Sequence, residues 1–186
     1  MTKMKSRWHV YGAIIGIVCA FTFGSWYLFN FYQPYDRILD FNDIRDTKDI
    51  LDIFKRDFYW LTANENFSAE FMLKYRTPTQ DFQNIGRLHI KVMRSKEGFI
   101  GFVAYYMKTS IGGMILFLDV NPPFRGKGYS EKLMRYALNN LKRLGAKVVQ
   151  LVTRTNNIHA QNLYNRLNFT ETSRTNSFVY FAKKLD

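Results

Sequence analysis

The chain of 186 residues has little cysteine, little histidine and no repetitive segment. Its single cysteine, Cys19, excludes an intrachain disulfide and a cysteine-based metal site, and its three histidines lack the spacing of metal ligands. Internal repeats and low-complexity tracts are absent as well. The 47% hydrophobic and 17% aromatic content exclude a disordered chain. The length is sufficient for one domain with a small appendage.

Acidic residues are scarce beside basic ones, with 15 Asp and Glu against 27 Lys and Arg, which gives a net charge of +12. Lys3, Lys5 and Arg7 contribute three of these charges, so that the rest of the chain carries +9. A basic balance predicts an anionic partner, such as nucleic acid, anionic lipid or a phosphorylated cofactor. Because the positive residues are dispersed and form no single tract, we do not expect a nucleic-acid partner.

Charged residues are absent from Val10 to Tyr35. Within this stretch, the 23 residues of Val10–Tyr32 are enough to span about 30 Å of hydrocarbon at about 1.5 Å per helical residue. Aromatic residues lie towards its ends, as they do at membrane interfaces. A secretory signal peptide is the alternative, but the bulky residues of Trp26–Tyr32 argue against cleavage. We therefore predict a basic tail over residues 1–9 and an uncleaved, single-pass transmembrane helix over residues 10–32.

The flanks of this segment predict its orientation, and its small residues predict a contact between two copies. Basic residues precede it and mainly acidic residues follow it, so the positive-inside rule predicts a cytoplasmic N-terminus and an external domain. Small residues recur every four positions and would let two membrane helices approach closely. These residues are Gly12, Gly16, Ala20 and Gly24. The alternative is that small residues are simply common in membrane helices.

Hydrophobic periodicity predicts one domain over residues 36–186, with the order β-α-α-β-β-β-α-β-α-β and, as an alternative, one more short strand at Thr170–Arg174. Asp46 or Thr47 is predicted to cap the first helix, which would end near Asp57, and Asn66 or Ser68 is predicted to cap the second. Two hairpins in the middle of the chain are followed by strand–helix crossovers. This order predicts an α/β (α+β) fold with a mixed, mostly antiparallel central sheet flanked by helices.

The stretch Asp119–Ser130 joins a strand to a helix through a glycine-rich turn. The apolar run Met114–Val120 stops before two prolines, and Arg125–Gly128 opens directly into a helical pattern. A helix N-terminus presents unpaired N–H groups and partial positive charge, and glycines let the backbone come close to a ligand. The stretch therefore predicts an anion site of the kind that holds a pyrophosphate. The alternative is a β-α turn whose glycines serve only the turn.

A second stretch, Asn157–Phe169, follows a β-branched strand and begins a helix. Together the two stretches resemble the GNAT superfamily of acyl-CoA-dependent N-acetyltransferases. Arg125–Ser130 is similar to the family's Arg/Gln-x-x-Gly-x-Gly/Ala signature, with Ser130 in place of the last Gly or Ala. Asn157–Phe169 resembles the second motif, with Asn168 in place of the usual glycine. Asparagine is among the few residues that also tolerate a left-handed backbone.

This resemblance implies an N-acetyltransferase that moves an acetyl group from acetyl-CoA to a primary amine by direct attack on the thioester. The acceptor would be a protein, a peptide or a small molecule. Backbone amides of the glycine-rich turn would bind the CoA pyrophosphate, the end of the preceding strand would bind pantetheine and the thioester, and Asn157 would contact the pantetheine arm. The implied cofactor-binding residues are Leu118, Val120, Arg125, Gly126, Lys127, Gly128, Tyr129, Ser130 and Asn157.

Two residues are candidates for proton transfer. The resemblance implies that Tyr164 protonates the departing thiolate, whereas from its own stretch it reads equally as a core aromatic. N-terminal-amine acetyltransferases of the family often carry a Glu five residues before the Asn of the second motif, where this chain has Val152. Asp119, at the end of the strand, is then the best candidate for the general base, with a role in the turn as the alternative.

Two alternatives concern the chemistry and the compartment. Val152 and Ser130 favour a catalytically inactive module of the GNAT fold that binds CoA or regulates, whereas the intact glycine-rich turn and Tyr164 favour an enzyme. Acetyl-CoA is mainly cytosolic, while the charges around Val10–Tyr32 predict an external domain. An active enzyme therefore requires either the opposite orientation or a compartment that imports acetyl-CoA.

Overall fold

The computed structural model describes residues 37–77 and 86–185. These residues contain seven strands and four helices. The strands are β1 (Ile38–Asp40), β2 (His89–Ser95), β3 (Gly98–Met107), β4 (Gly112–Val120), β5 (Val148–Arg154), β6 (Thr170–Arg174) and β7 (Phe178–Lys184). The helices are α1 (Asp43–Leu61), α2 (Ala69–Tyr75), α3 (Tyr129–Arg143) and α4 (Ile158–Arg166), with a 3₁₀ turn at Pro122–Phe124.

The seven strands form one sheet in the order β1-β2-β3-β4-β5-β7-β6. All neighbours are antiparallel except β4 and β5, which are parallel and are joined through α3. Short turns connect β2 to β3 and β3 to β4, as expected for hairpins, and a parallel pair needs a longer crossover. The mixed, mostly antiparallel sheet predicted from the sequence is confirmed.

Helices cover both faces of the sheet and enclose two apolar cores. On one face, α3 and α4 cover the sheet, and α3 lies so close to it that a Cβ atom at Gly113 would be 2.9 Å from the Leu141 side chain. On the other face, α1 packs Phe54 against Phe102 and Phe117, with ring centroids 6.0 and 5.1 Å apart. Apolar residues recur every three or four positions in α1 and α3, which is why each helix buries one side.

The start of α1 differs from its prediction. Asn42 is the N-cap, and its side-chain oxygen accepts hydrogen bonds from the backbone N–H groups of Ile44 and Arg45. The predicted caps, Asp46 and Thr47, were wrong. Asp46 is fully buried, and its carboxylate accepts hydrogen bonds from the Asn42 N–H at 2.8 Å and from Arg94 of β2 at 3.0 Å, so it joins the start of the helix to the sheet and is not the N-cap.

The end of α1 also lies further along the chain than predicted. The helix continues to Leu61, past an irregular backbone at Asp57 with φ −113° and ψ 19°. Because this irregularity interrupts the regular helical turn, we call it the α1 kink. For the second helix, the cap by Ser68 is confirmed, since its side-chain oxygen accepts a hydrogen bond from the N–H of Phe71 at 3.1 Å.

A buried ion cluster attaches the first half of α1 to the sheet. This β2 cluster consists of Arg45, Asp46, Asp49 and Arg94. Asp46 Oδ1 accepts hydrogen bonds from Arg45 Nε at 2.9 Å and Arg94 Nε at 3.0 Å. Arg94 also donates to the Asp49 carboxylate. Each buried charge therefore has a partner of opposite sign, as burial requires.

The predicted transmembrane segment Val10–Tyr32 and its stripe of small residues lie outside the described residues. So does most of the loop that precedes β2, residues 78–85. Across residues 37–77 and 86–185, no helix combines the length and the apolar character needed to cross a membrane.

Candidate active site

The central feature of the site is a cleft between the carboxyl ends of β4 and β5. The two strands are in register at only three positions, from Gly112 opposite Val148 to Met114 opposite Gln150. Directly beyond this point, the pairing of β4 with β3 skips Leu116. An extra residue of this kind bends a strand and increases its twist. The bulge therefore accounts for the divergence of β4 from β5, which opens the cleft.

The backbone at the end of β4 presents its free edge to this cleft. Asn121 N–H donates to the Ile100 carbonyl of β3 at 2.8 Å, so Asn121 faces β3. Because backbone groups alternate in direction along an antiparallel ladder, those of Leu118 and Val120 point away from β3. The Val120 carbonyl accepts a hydrogen bond from Arg125 Nε at 2.7 Å, which is consistent with this direction. The two predicted thioester-region residues thus lie on the cleft side of β4.

The glycine-rich turn lies at the same end of β4. Gly126 and Gly128 have left-handed backbones, with φ of 77° and 81°, and a Cβ atom at either position would meet no atom within 4 Å. Gly128 is the N-cap of α3 and provides no side-chain cap. The first turn of α3 therefore presents its N–H groups beside open space, which is the geometry of an anion site.

Few side chains of this turn face the anion site, so the site is formed mainly by backbone groups. Tyr129 packs its ring edge-on against Phe124 at 6.2 Å and is partly buried against the core. Lys127 is exposed, with its ammonium 5.6 Å from the Phe124 ring. Ser130 is half-buried in the first turn of α3. Lys127 is accordingly the member of this group that adds an exposed positive charge at the rim.

Two arginines and two aspartates meet where α1 passes the end of β4. This cleft cluster consists of Arg56, Asp57, Asp119 and Arg125. Asp57 Oδ2 accepts three hydrogen bonds, from Arg56 Nε at 2.8 Å, Arg56 Nη2 at 2.6 Å and Arg125 Nη2 at 2.9 Å. Asp119 Oδ1 lies 3.5 Å from both Nη2 atoms and accepts no hydrogen bond, although it is buried. Asp57 therefore holds both guanidinium groups more closely than Asp119 does.

This environment raises the pKa of Asp119 to about 7. Burial is the largest cause, since the side chain is only 9% exposed, and the Asp57 carboxylate acts in the same direction. The guanidinium groups of Arg125 and Arg56 lower the pKa but do not compensate. At neutral pH, Asp119 is consequently divided between its protonated and ionised forms, as suits a group that accepts and releases a proton.

Tyr164 approaches the sheet from the opposite face. It is buried in the core beneath α3 and α4, with its ring centroid 5.6 Å from that of Phe181 and 6.0 Å from that of Phe169. Burial raises the pKa of Tyr164 to about 12. Asp119 instead contacts side chains of α1. The two predicted catalytic residues therefore lie on opposite sides of the sheet that contains the cleft.

Asn157 begins helix α4 at the end of β5. Its Oδ1 accepts a hydrogen bond from the Ala160 N–H at 3.1 Å, so one end of its side-chain amide caps the helix. After the same helix, Asn168 has a left-handed backbone with φ 59°, where the family motif usually has glycine. The tolerance of asparagine for this conformation, expected from the sequence, is confirmed.

The end of α1 is attached to the end of β5 on the other side of the cleft. Arg154 donates from Nε to the Tyr59 carbonyl at 2.5 Å and from Nη2 to the Thr62 carbonyl at 3.2 Å. Its guanidinium also stacks on the Tyr59 ring at 3.8 Å. Next to it, Val152 of β5 lies opposite Tyr180 of β7, and both side chains are exposed. An aromatic and aliphatic surface thus borders the cleft on the α1 side.

Sequence reasoning missed two members of the cleft cluster, Arg56 and Asp57. The signal for Asp57 was present, because it follows Ile50, Ile53 and Phe54 at the spacing of one buried helix face. A carboxylate at an apolar position of an amphipathic helix requires a buried partner. Arg56 carries no comparable signal, since an arginine next to an aspartate reads as an ordinary surface pair.

Comparisons with known proteins agree with this geometry. The model of the acetyltransferase (GNAT) family matches residues 47–169. Among solved structures, yncA from Salmonella typhimurium, determined with its cofactor acetyl-CoA, is 17% identical with a TM-score of 0.65, over 81% of this chain and 94% of that chain. A GCN5-related N-acetyltransferase from Kribbella flavida is 16% identical with a TM-score of 0.65, over 80% and 97%. Ard1 from Thermoplasma volcanium is 18% identical with a TM-score of 0.60, over 80% and 97%. No curated protein matches the chain.

Proposed function

The chain belongs to the acetyltransferase (GNAT) family, and we propose that it transfers an acetyl group from acetyl-CoA to an amine held at the mouth of the cleft. As a member of this family, it is an acyltransferase that uses acetyl-CoA. The observation that supports the proposal best is the position of the glycine-rich turn. This turn, with its open space and uncapped helix start, lies directly beside the divergence of β4 from β5.

Residues of both strands fit the extended shape of the cofactor. The first turn of α3, opened by Gly126 and Gly128, would hold the pyrophosphate through backbone N–H groups. The backbone edges of Leu118 and Val120 would align the pantetheine arm, with Asn157 on the β5 side of the cleft. When bound, acetyl-CoA supplies an acetyl group that is activated as a thioester.

Asp119 would act as the general base. It accepts a proton from the attacking nitrogen as this nitrogen forms its bond to the acetyl carbon. A carboxyl group with a pKa of about 7 is present in its ionised form in sufficient amount at neutral pH. Proton transfer by a positioned side chain contributes about 10²- to 10⁴-fold to the rate of such reactions.

Tyr164 would act on the departing sulfur. Its pKa of about 12 lies well above the value of about 8.5 that is typical of a thiol, so complete transfer of its proton to a thiolate is unfavourable. We therefore propose that Tyr164 donates a hydrogen bond to the sulfur and stabilises the negative charge that develops there. Solvent supplies the proton after release. This role is narrower than the full protonation that the family resemblance implies.

The test of the cofactor site is the affinity of the full chain for CoA, measured by calorimetry. Gly128→Ala forces a left-handed alanine, at a cost of about 1–2 kcal/mol, and places a methyl group beside the anion site. We expect at least a tenfold rise in Kd. Gly98→Ala is the matched control, because Gly98 also has a positive φ and open surroundings but lies in the β2–β3 turn. We expect its Kd to stay within twofold of wild type.

Turnover separates an enzyme from a module that only binds CoA. The full chain is incubated with acetyl-CoA and a panel of amines and peptides, and release of the CoA thiol is followed. We expect release that depends on the acceptor and that falls in Tyr164→Phe. Tight CoA binding without turnover on any acceptor would support the inactive binding module. Equal CoA affinity of folded Gly128→Ala and wild type would overturn the proposed cofactor site.

The membrane part of the proposal is supported by the sequence alone. We propose that Val10–Tyr32 anchors the chain in a single pass, with pairing of two copies through its stripe of small residues. Extraction of membranes with alkaline carbonate tests the anchor, because a peripheral protein is released and an anchored one is retained. Protease protection in sealed membranes tests the orientation. A catalytic domain is expected on the side that contains acetyl-CoA.

A further inference from the structure

We infer that the acceptor is an amine that is substantially neutral near pH 7, such as the α-amino group of a peptide or an amino acid, and that the side-chain ammonium of lysine is a poor acceptor. This inference rests on the proposed function and concerns the acceptor of the same site. It follows from the charges that surround the cleft.

Free carboxylates that could bind an ammonium group are scarce in the described strands that border the cleft. Strands β4 and β5, which border it, contain one acidic residue between them, Asp119, and β7 beyond them contains none. The α1 kink adds Asp57, but its Oδ2 already accepts three hydrogen bonds from Arg56 and Arg125. Within these described elements, each carboxylate is therefore either committed to arginine or assigned to proton transfer.

Two positive charges oppose the approach of a third. Arg56 and Arg125 each place an Nη2 atom 3.5 Å from the buried Oδ1 of Asp119. Arg56 is held there by a further hydrogen bond from its Nη1 to Asn121 Oδ1 at 2.9 Å. An ammonium group that approached Asp119 would come close to both guanidinium groups, whereas a neutral amine would not be repelled. The arrangement selects the neutral form of the acceptor before the reaction begins.

The ordinary pKa values of the two kinds of amine favour the same class of acceptor. A peptide α-amino group has an ordinary pKa of about 7.7–8.0, and the lysine side chain one of about 10.4. At pH 7, the neutral fraction of the α-amino group is consequently about 300-fold larger.

Asp119 and Tyr164 account for the proton and the negative charge of the proposed step. A bond forms between the nitrogen and the acetyl carbon, and the bond between that carbon and sulfur breaks. Asp119 receives the proton that the nitrogen loses. The electron pair leaves with the sulfur, which accepts a hydrogen bond from Tyr164. A nitrogen that arrives neutral loses only this one proton, whereas an ammonium must lose a second proton, for which β4 and β5 contain no carboxylate besides Asp119.

The test compares two peptides of the same composition apart from the reacting amine. One has a free N-terminus and no lysine, and the other has a blocked N-terminus and one lysine. Acetylation by the full chain is measured by mass spectrometry between pH 7 and 9. We expect kcat/KM at pH 7 to be at least 30-fold higher for the α-amino peptide. The rate with lysine should rise about tenfold per pH unit, because its neutral fraction rises in that proportion.

An arginine variant provides a second measurement. Arg56→Met removes one of the two positive charges that face Asp119. We therefore expect the ratio of kcat/KM for the α-amino peptide to kcat/KM for the lysine peptide to fall at pH 7. Lys55→Met is the matched control, because Lys55 neighbours Arg56 in sequence but its side chain is 76% exposed. We expect this control to keep the preference of the wild type.

The outcomes distinguish this inference from the proposed function. Acetylation of the lysine peptide at pH 7 as fast as that of the α-amino peptide would overturn the inference and leave the acetyltransferase activity established. Bound acetyl-CoA without acetylation of either peptide or of any amine in the panel would overturn the proposed function and the inference with it. Faster acetylation of the α-amino peptide, with a narrowed preference in Arg56→Met, would support both.

Discussion

Helix α1 contributes residues to two ion clusters, each with two arginines and two aspartates. The clusters differ in whether the buried carboxylate oxygens accept hydrogen bonds. In the β2 cluster, the fully buried Asp46 accepts four hydrogen bonds, from the Asn42 N–H, from two nitrogens of Arg45 and from Arg94. In the cleft cluster, Asp119 keeps a buried oxygen that accepts none. The same residue types, grouped around one helix, thus produce two different electrostatic environments.

This difference separates a structural role from a chemical one. A buried carboxylate with all its hydrogen bonds made holds its charge and fixes the elements that it joins. A buried carboxylate with an unsatisfied oxygen has no such reason to stay ionised, and it exchanges protons near neutral pH. The β2 cluster therefore attaches α1 to the sheet, whereas the cleft cluster contains the proposed proton acceptor, beside the glycine-rich turn.

The largest loss of stability is expected from a substitution in the β2 cluster. Asp46→Asn removes the negative charge and leaves the guanidinium groups of Arg45 and Arg94 buried without full compensation. We expect the free energy of unfolding to fall by about 3–5 kcal/mol, as it does when one partner of a buried pair is removed. Urea unfolding followed by circular dichroism measures this loss. CoA affinity should remain near wild type at temperatures where the variant is folded, and a loss below about 1 kcal/mol would contradict the structural role.

Asp119→Asn should have the opposite effect on stability. The folded pKa of Asp119, about 7, exceeds the ordinary value of 3.8. The contribution of Asp119 to stability is therefore fully present below about pH 4 and is lost as the pH rises to about 7, by up to about 4 kcal/mol. The asparagine variant lacks this loss. Its stability relative to wild type should increase between pH 4 and 7, while kcat falls by about 10²- to 10⁴-fold.

Unfolding of both proteins at pH 4, 5.5 and 7 tests this prediction, with turnover measured at pH 7. A stability difference that does not vary with pH would mean that Asp119 titrates normally. Unchanged turnover in a folded Asp119→Asn would assign the base to another group or to water.

The contrast between the clusters was partly visible in the sequence. Asp46 and Asp57 stand at either end of the apolar stripe formed by Ile50, Ile53 and Phe54. Their spacing predicts that both carboxylates are buried. Their partners from the sheet could not be found in this way, because Arg94 lies 48 residues from Asp46 and the pairing is set by tertiary packing. Asp46 was assigned as a helix cap for the same reason. An aspartate near the start of a helix can cap the helix or pair with a distant arginine, and only tertiary packing decides between the two.

Rules that depend only on neighbouring residues predicted the glycine-rich turn better. The prolines, the glycines and the following amphipathic pattern predicted a strand, a tight turn and a helix, and the structure has β4, Gly126 and Gly128 with positive φ, and α3 in that order. Each of these features depends on neighbours in sequence. The bulge at Leu116 was not predicted, because it depends on the register between β3 and β4.

A smaller effect is expected within the cleft cluster, from Asp57→Asn. The Asp57 carboxylate raises the pKa of Asp119, and its removal also releases Arg56 and Arg125 towards Asp119. Both changes favour the ionised form of Asp119. The acid limb of the kcat/KM profile should therefore move to lower pH, by about one unit. Asp49→Asn is the control from the β2 cluster and should leave the limb in place. A shift to higher pH in Asp57→Asn would contradict this arrangement.

The smallest effect should come from an ion pair that is short but exposed. Lys48 Nζ lies 2.6 Å from Asp52 Oδ2 on the surface of α1, the same distance as between Arg56 Nη2 and Asp57 Oδ2. The Lys48 side chain is 87% exposed, so water and salt screen the pair in both the folded and unfolded states. Lys48→Met should leave the urea midpoint indistinguishable from wild type. If Lys48→Met lost nearly as much stability as Asp46→Asn, the distance between the charges, and not their burial, would determine the strength of these pairs. The distinction between the two clusters, which rests on buried hydrogen bonds made or left unmade, would then lose its physical basis.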